Sequence, residues 1–106
     1  MIIELTDQNF QAKISDHNEL QIVDFWAEWC GPCRGLSKTL EALSSEYEGK
    51  ERMSKLNVAY NPQVSVQFGI TATPTLLFIK NGKVIDKQVG AIPLPALKKR
   101  IESHLI

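Results

Sequence analysis

The stretch from Leu20 to Ala27, Leu-Gln-Ile-Val-Asp-Phe-Trp-Ala, is nearly all apolar. Such a run suits a central strand covered on both faces. A chain organised around it needs helices above and below a sheet, which points to an α/β architecture. With 106 residues and 43% hydrophobic content, the sequence fits one domain spanning residues 1–106.

Elements of alternating kind flank that strand. Ile2-Ile3-Glu4-Leu5 reads as a short strand, followed by a helix capped by Thr6 and carrying Phe10 and Ile14. Ser15 to Glu19 is a polar turn. Beyond the central strand, Leu36, Leu40, Leu43 and Tyr47 recur at helical spacing, a packing stripe with no chemistry of its own. Gly35 sits inside this helix at a cost of about 1 kcal/mol relative to Ala, and Gly49 is the expected stop. Met53 to Val58 makes a third strand, and Asn61-Pro62 opens a short helical segment carrying Val66 and Phe68. Thr75-Leu76-Leu77-Phe78-Ile79 is the clearest strand of the chain. Asn81-Gly82 predicts a tight hairpin that pairs Lys83 to Val89 antiparallel with it. Leu97, Ile101 and Leu105 mark a last amphipathic helix from Leu94 to Ile106. The expected order is β-α-β-α-β-α-β-β-α. Strands separated by helices should pair in parallel through right-handed crossovers, with an antiparallel edge from the hairpin and helices on both faces.

Both cysteines lie in Trp29-Cys30-Gly31-Pro32-Cys33, where the central strand gives way to a helical pattern. Two thiols with two residues between them on a first helical turn can close into a small ring and open again, which is redox chemistry. The pair falls at the carboxyl end of a central strand, where open α/β sheets put their sites. Cys30 belongs at the helix N-terminus, where unpaired backbone N–H groups and the helix dipole favour a thiolate. An ordinary thiol is mostly protonated at neutral pH, and one that ionises near ambient pH is the best attacker of disulfides. Cys33, one turn inside, is the natural resolving thiol. Gly31 leaves room for another chain to approach the sulfur. Pro32 fixes one φ where its missing N–H costs little. Three other readings compete: a structural disulfide, half of a zinc site, or inert buried thiols. A ring this small cross-links almost nothing. Zinc wants four ligands, and His17 and His104, which read as surface residues, lie in segments without metal-ligand spacing, so no metal is expected. The helix-start context argues against inert thiols.

Twelve basic and twelve acidic side chains give zero formal charge. There is thus no electrostatic case for nucleic acid or for an anionic membrane surface. The start, Met1 to Asp7, carries acids and no basic region ahead of an apolar run, unlike a signal peptide. The longest apolar run, Leu76 to Ile79, is far too short to cross a bilayer. A soluble, cytoplasmic, monomeric protein is the expectation, and there a lone cysteine pair is more often catalytic than structural. No glycine-rich phosphate loop is present, so neither flavin nor nucleotide is expected as a cofactor.

The segment Val23 to Cys33 resembles the active-site segment of the thioredoxin family. Lys55-Leu56-Asn57-Val58, Thr73-Pro74-Thr75-Leu76, and Lys80-Asn81-Gly82 followed by Val89-Gly90-Ala91 are similar to later blocks of that family, so the resemblance covers essentially the whole chain. It implies a thioredoxin fold around a mixed sheet, with Cys30 as attacking and Cys33 as resolving thiol. It implies that Asp24 is a buried aspartate that helps deprotonate Cys33, and that Lys55 pairs with it from the neighbouring strand. It further implies that Pro74 is a cis-proline facing the cysteines, and that Trp29, Thr73, Gly90 and Ala91 form the rim of a substrate groove. Asp24 in an apolar strand is costly to bury ionised, so it could accept a proton near neutrality; the competing reading of the residue alone is a carboxylate that hydrogen-bonds a loop at the strand end. Trp26, embedded in the strand, reads as core.

The chain departs from the family pattern at Lys38, where a helix proline is common, so the kink expected of the long helix should be weak or absent. Ala59 stands where an acidic residue is frequent, and Thr73 where an aliphatic one is usual. A hydroxyl at Thr73 could bond a sulfur or an incoming chain. By resemblance, then, the chain reduces disulfides in other proteins through a Cys30–Cys33 dithiol, and a thioredoxin reductase reopens the resulting internal disulfide. The competing functions are a redox-independent binding module on the same fold and a more oxidising oxidase or isomerase.

Overall fold

A computed structural model of the chain describes residues 2–105. Among them the elements are β1 (Ile2–Leu5), α1 (Phe10–Ser15), β2 (Leu20–Trp26), α2 (Gly31–Glu46), β3 (Glu51–Asn57), α3 (Pro62–Gln67), β4 (Thr75–Lys80), β5 (Lys83–Val89) and α4 (Leu94–His104). The order matches the sequence reading. Boundaries move by a residue or two: β3 begins at Glu51, and the expected Ile106 end of the last helix lies outside the described residues. Thr6 does not directly precede α1. Its hydroxyl accepts from the Asn9 N–H at 3.1 Å while the Asn9 side-chain oxygen accepts from the Thr6 N–H at 2.8 Å, a reciprocal cap one turn ahead of the helix.

The five strands form one mixed sheet in the order β1-β3-β2-β4-β5, with β2 at its centre. β2 runs parallel to β3, placing Asp24 beside Lys55. It runs antiparallel to β4, placing Asp24 beside Leu76. The antiparallel β2–β4 pairing corrects the expectation that every strand separated by a helix returns in parallel. Helix length does not decide the direction, since α1, also six residues long, lies in a connection that does cross over between the parallel strands β1 and β2; the chain leaving β3 instead folds back through α3 and re-enters the sheet from the same end. The β4–β5 hairpin turns at Asn81 (φ 54°) and Gly82 (φ 78°), both in the left-handed region that a two-residue turn requires.

Alternation along β2 divides the core. Leu20 and Ile22 face α2 and α4, packing with Leu36, Leu40, Leu43, Leu97 and Ile101. Val23 and Phe25 face the other way, against Phe10 and Ile14 of α1 and Val64 of α3. In α3 it is Val64 that is buried, whereas the Val66 expected to pack is 79% exposed. Asp24, in phase with Leu20 and Ile22, looks toward the first turn of α2, which is what places a carboxyl near the cysteines. α2 is unbroken from Gly31 to Glu46, as the lysine at position 38 permits.

The turn after β3 is fastened from a distance. The Asp7 carboxylate accepts from the N–H groups of Gln63 (3.2 Å) and Val64 (2.9 Å), capping α3 from the turn that follows β1. The Asn61 side-chain oxygen accepts from Asp7 N–H, and its amide donates to the Asn57 carbonyl. Val58 N–H donates to the Trp26 carbonyl at 2.9 Å, which ties this turn to the end of β2.

The histidines correct the surface reading. His104 is half-buried, with Nε2 2.8 Å from the Asp86 carboxylate and its ring 5.4 Å from that of Phe78. His17 is half-buried, and its Nε2 has no hydrogen-bond partner.

Candidate active site

Cys30 is the N-cap of α2, extended at φ −89° and ψ 105°, with Pro32 in the first turn behind it. Its Sγ accepts from the Cys33 N–H at 3.2 Å, one of the free amides of the helix start. Cys30 and Cys33 are joined as a disulfide, their Cα atoms 5.3 Å apart. Both are buried, but Cys30 at 7% exposure is more open than Cys33 at 3%. Gly31 and Pro32 are exposed, and a Cβ added at Gly31 would meet nothing within 4 Å.

Asp24 is 3% exposed, and its Oδ1 has no hydrogen-bond partner. Burial pushes its carboxyl from 3.8 up to about 7, against the opposing pull of the Lys55 ammonium. It shares a cleft of about 570 Å³ with Cys33, Trp26, Ala27 and Lys55, so the carboxyl and the inner sulfur open to the same space. Lys55 is half-buried and lies beside Asp24 in the sheet register, yet it makes no ion pair with it among the described residues. Its ammonium stands 5.7 Å from the Trp26 ring centroid instead. Trp26 is only half-buried. It packs against Ala27, Cys30 and Cys33, with a buried indole N–H that finds no acceptor, so it flanks the site rather than filling the core.

The resemblance placed a cis bond at Pro74, and the Thr73–Pro74 peptide is cis. Pro74 is buried and its carbonyl accepts from the Gly90 N–H at 2.8 Å, which joins the two loops at this end of the sheet. Gly90 has φ +89°, a conformation that favours glycine. Thr73 is half-buried and Ala91 exposed. Among the described residues the Thr73 side chain makes no hydrogen bond, so neither sulfur receives one from it. Trp29 is 73% exposed, a large indole with no packing role in the fold. Tyr60, in the turn tied to Trp26, is equally exposed, and the sequence reading passed over it. An aromatic side chain next to an Asn-Pro turn was the available signal. No group of three or more potential metal ligands occurs among the described residues. No helix there is long and apolar enough to cross a membrane.

A disulfide at the start of a helix, at the carboxyl end of the central strand of a mixed sheet, defines a dithiol–disulfide exchange protein. The family model "Thioredoxin" matches residues 1–103. The chain is 49% identical over 102 residues to the thioredoxin of Chlorobaculum thiosulfatiphilum and, equally, to thioredoxin 2 of Chlorobaculum tepidum, in each case covering 96% of this chain and 94% of the relative. It is 41% identical to thioredoxin 1 of a Nostoc species, covering 96% and 95%. The chain belongs to the thioredoxin family, and it is a thiol–disulfide oxidoreductase of the protein-disulfide reductase type.

Proposed function

We propose that the reduced protein cleaves disulfides of other proteins in two exchange steps, with the roles divided as follows. The Cys30 thiolate attacks one sulfur of the substrate disulfide. The substrate S–S bond breaks, its electron pair leaves on the other substrate sulfur, and a mixed disulfide forms on Cys30. Cys33 then gives its proton to Asp24 and attacks the Cys30 sulfur, which expels the second substrate thiolate. The substrate gains two electrons and the protein ends as the internal disulfide, which a thioredoxin reductase reopens. Lys55 lowers the cost of the charge that passes through Asp24. The substrate chain lies along Thr73 and Pro74 in a short β-like pairing, rimmed by Trp29, Gly90 and Ala91.

One observation carries the division of labour. The Asp24 carboxyl, which lines the same cleft as the inner sulfur, is buried, lacks a hydrogen-bond partner at Oδ1 and ionises near neutrality. A base poised near ambient pH is the efficient one for this proton. Replacing Cys33→Ser tests the order of events. Covalent complexes with substrate should accumulate through Cys30 and dissolve in dithiothreitol. Their absence, or their formation instead in Cys30→Ser, reverses the assignment.

A further inference from the structure

The cleft above Asp24 and Cys33 is lined by more basic than acidic side chains. Arg34, Lys38 and Lys55 all line it, with Glu28 as the one acidic side chain on its rim. The chain as a whole is neutral, so this is a local excess. None of the three cations belongs to an ion pair among the described residues, whose salt bridges all lie elsewhere. Arg34 does reach Glu28, but donates to its backbone oxygen at 3.4 Å, which leaves the guanidinium charge unneutralised. Arg34 and Lys38 stand four residues apart on α2 and therefore on one face of it, with Ser37 between them at the cleft wall. The remaining walls are Trp26, Ala27 and Cys33, apolar surfaces that concentrate the field of the rim charges rather than screen it. At the floor, Asp24 holds its proton below about pH 7, so in slightly acidic solution, where an organic phosphate is still mostly doubly charged, it does little to cancel them.

We propose that this cleft is a binding site for a small dianion of the phosphate class, held between Arg34, Lys38 and Lys55. The volume of about 570 Å³ leaves room for a phosphate group and a short organic substituent. Unlike the groove at Pro74, the cleft opens on the resolving sulfur. A bound dianion puts negative charge where Cys33 and Asp24 must develop theirs, and it therefore retards release of the mixed disulfide. That consequence rests on the exchange mechanism proposed above; the site itself does not.

The test is a titration of the oxidised protein, followed by amide and side-chain NMR at constant ionic strength. Inorganic phosphate is compared with glycerol 3-phosphate, and sodium chloride is the control. Saturable shifts confined to the region of Asp24, Arg34, Lys38 and Lys55 are expected with phosphate and not with chloride. Lys38→Gln and Arg34→Gln, both exposed helix-surface changes, should each weaken binding about fivefold, the effect of one partly screened charge contact. Tighter binding of the ester assigns the site to an organic phosphate, and equal binding assigns it to the free ion. Shifts that fail to saturate, that chloride reproduces, or that survive both substitutions together overturn the site. The readout involves no turnover, so its failure leaves the reductase reading intact, and loss of disulfide reduction would not touch it. In turnover, phosphate should slow mixed-disulfide release in the wild type, and about five times as much should be needed for the same slowing in Lys38→Gln. Equal slowing in both proteins overturns the link to Cys33.

Discussion

Asp24 and Gly35 show how much a single position decides here. The Asp24 carboxyl ionises near pH 7 because the sheet and α2 exclude water from it and Lys55 compensates only in part. If it takes the Cys33 proton, Asp24→Asn should slow mixed-disulfide release by roughly 10²-fold near neutral pH, the lower range for losing a positioned base. The deficit should shrink in alkaline solution, where hydroxide can take the Cys33 proton in place of the carboxylate. Stopped-flow kinetics of a fluorescent mixed disulfide on Cys30 reads this directly, and a deficit independent of pH would make Asp24 a packing residue. Gly35 is the opposite case, a position that does nothing its neighbours need. It is exposed in the second turn of α2, and a Cβ there would meet no atom within 4 Å. Gly35→Ala should therefore add about 0.5–1 kcal/mol of stability by chemical denaturation and leave disulfide reduction unchanged.

At the scale of elements, α4 is latched to the edge strand β5 through one carboxylate. Asp86 accepts from Arg100 Nε at 2.9 Å and Nη2 at 3.1 Å, and lies 2.8 Å from His104 Nε2. Arg100 also donates to the Gln88 side chain and the Lys87 carbonyl, and its guanidinium stacks 5.6 Å from the Phe78 ring. Burial works to raise the Asp86 carboxyl, but the bonds from His104, Arg100 and the Lys87 N–H outweigh it and hold it at about 2. A lowered carboxylate stabilises the fold above its ordinary range and loses that contribution as pH falls toward 2. Asp86→Asn should cost roughly 1–2 kcal/mol at pH 7, discounted for the quarter of the side chain that remains in water. In urea titrations the gap to wild type should narrow between pH 4 and pH 2.5. Nothing in the sequence pointed to this latch, because Asp86 and Arg100 become neighbours only when β5 and α4 close on each other. The same holds for Asp7 capping α3 across 56 and 57 residues. What could be read was contiguous: the cysteine pair at a strand-to-helix junction, the Asn-Gly hairpin, and the helical stripes of α2 and α4. The β2–β4 direction was misread because apolar pattern reports faces of a strand and says nothing of the end from which the chain enters. Lys55, Pro74 and the proposed groove rim needed the family resemblance, since nothing in their local sequence marks them: Lys55 is an ordinary lysine until the β2–β3 register sets it beside Asp24.

At the scale of the whole molecule, the chain keeps two carboxyls on the α2 side of its sheet in places where charge is unwelcome. Glu51, at the opposite end of β3 from the site, is 7% exposed, and burial pushes its carboxyl from 4.5 to about 7. Asp24 behaves alike. For both, the folded protein holds a proton that the unfolded chain has already released between about pH 4 and pH 7. Stability must therefore fall as pH rises through that window, and the contribution is complete only below the ordinary carboxylate range. At about 1.4 kcal/mol per pH unit, each group is worth roughly 3–4 kcal/mol across the window, an upper bound because burial relaxes when a charge forms. This is a large share of the total stability of a small domain. Guanidinium denaturation of the oxidised protein, in which neither cysteine titrates, should show several kcal/mol lost between pH 5 and pH 8. Asp24→Asn and Glu51→Gln should each remove part of that slope and make the protein more stable at pH 8 than the wild type. The register places the two carboxyls four residues apart along β3, about 13 Å, too far to share partners, so the double variant should be additive within about 0.5 kcal/mol. If wild type and variants lose stability in parallel over this range, the cost of burial does not reside in these carboxyls, and the proton store assigned to Asp24 fails with it.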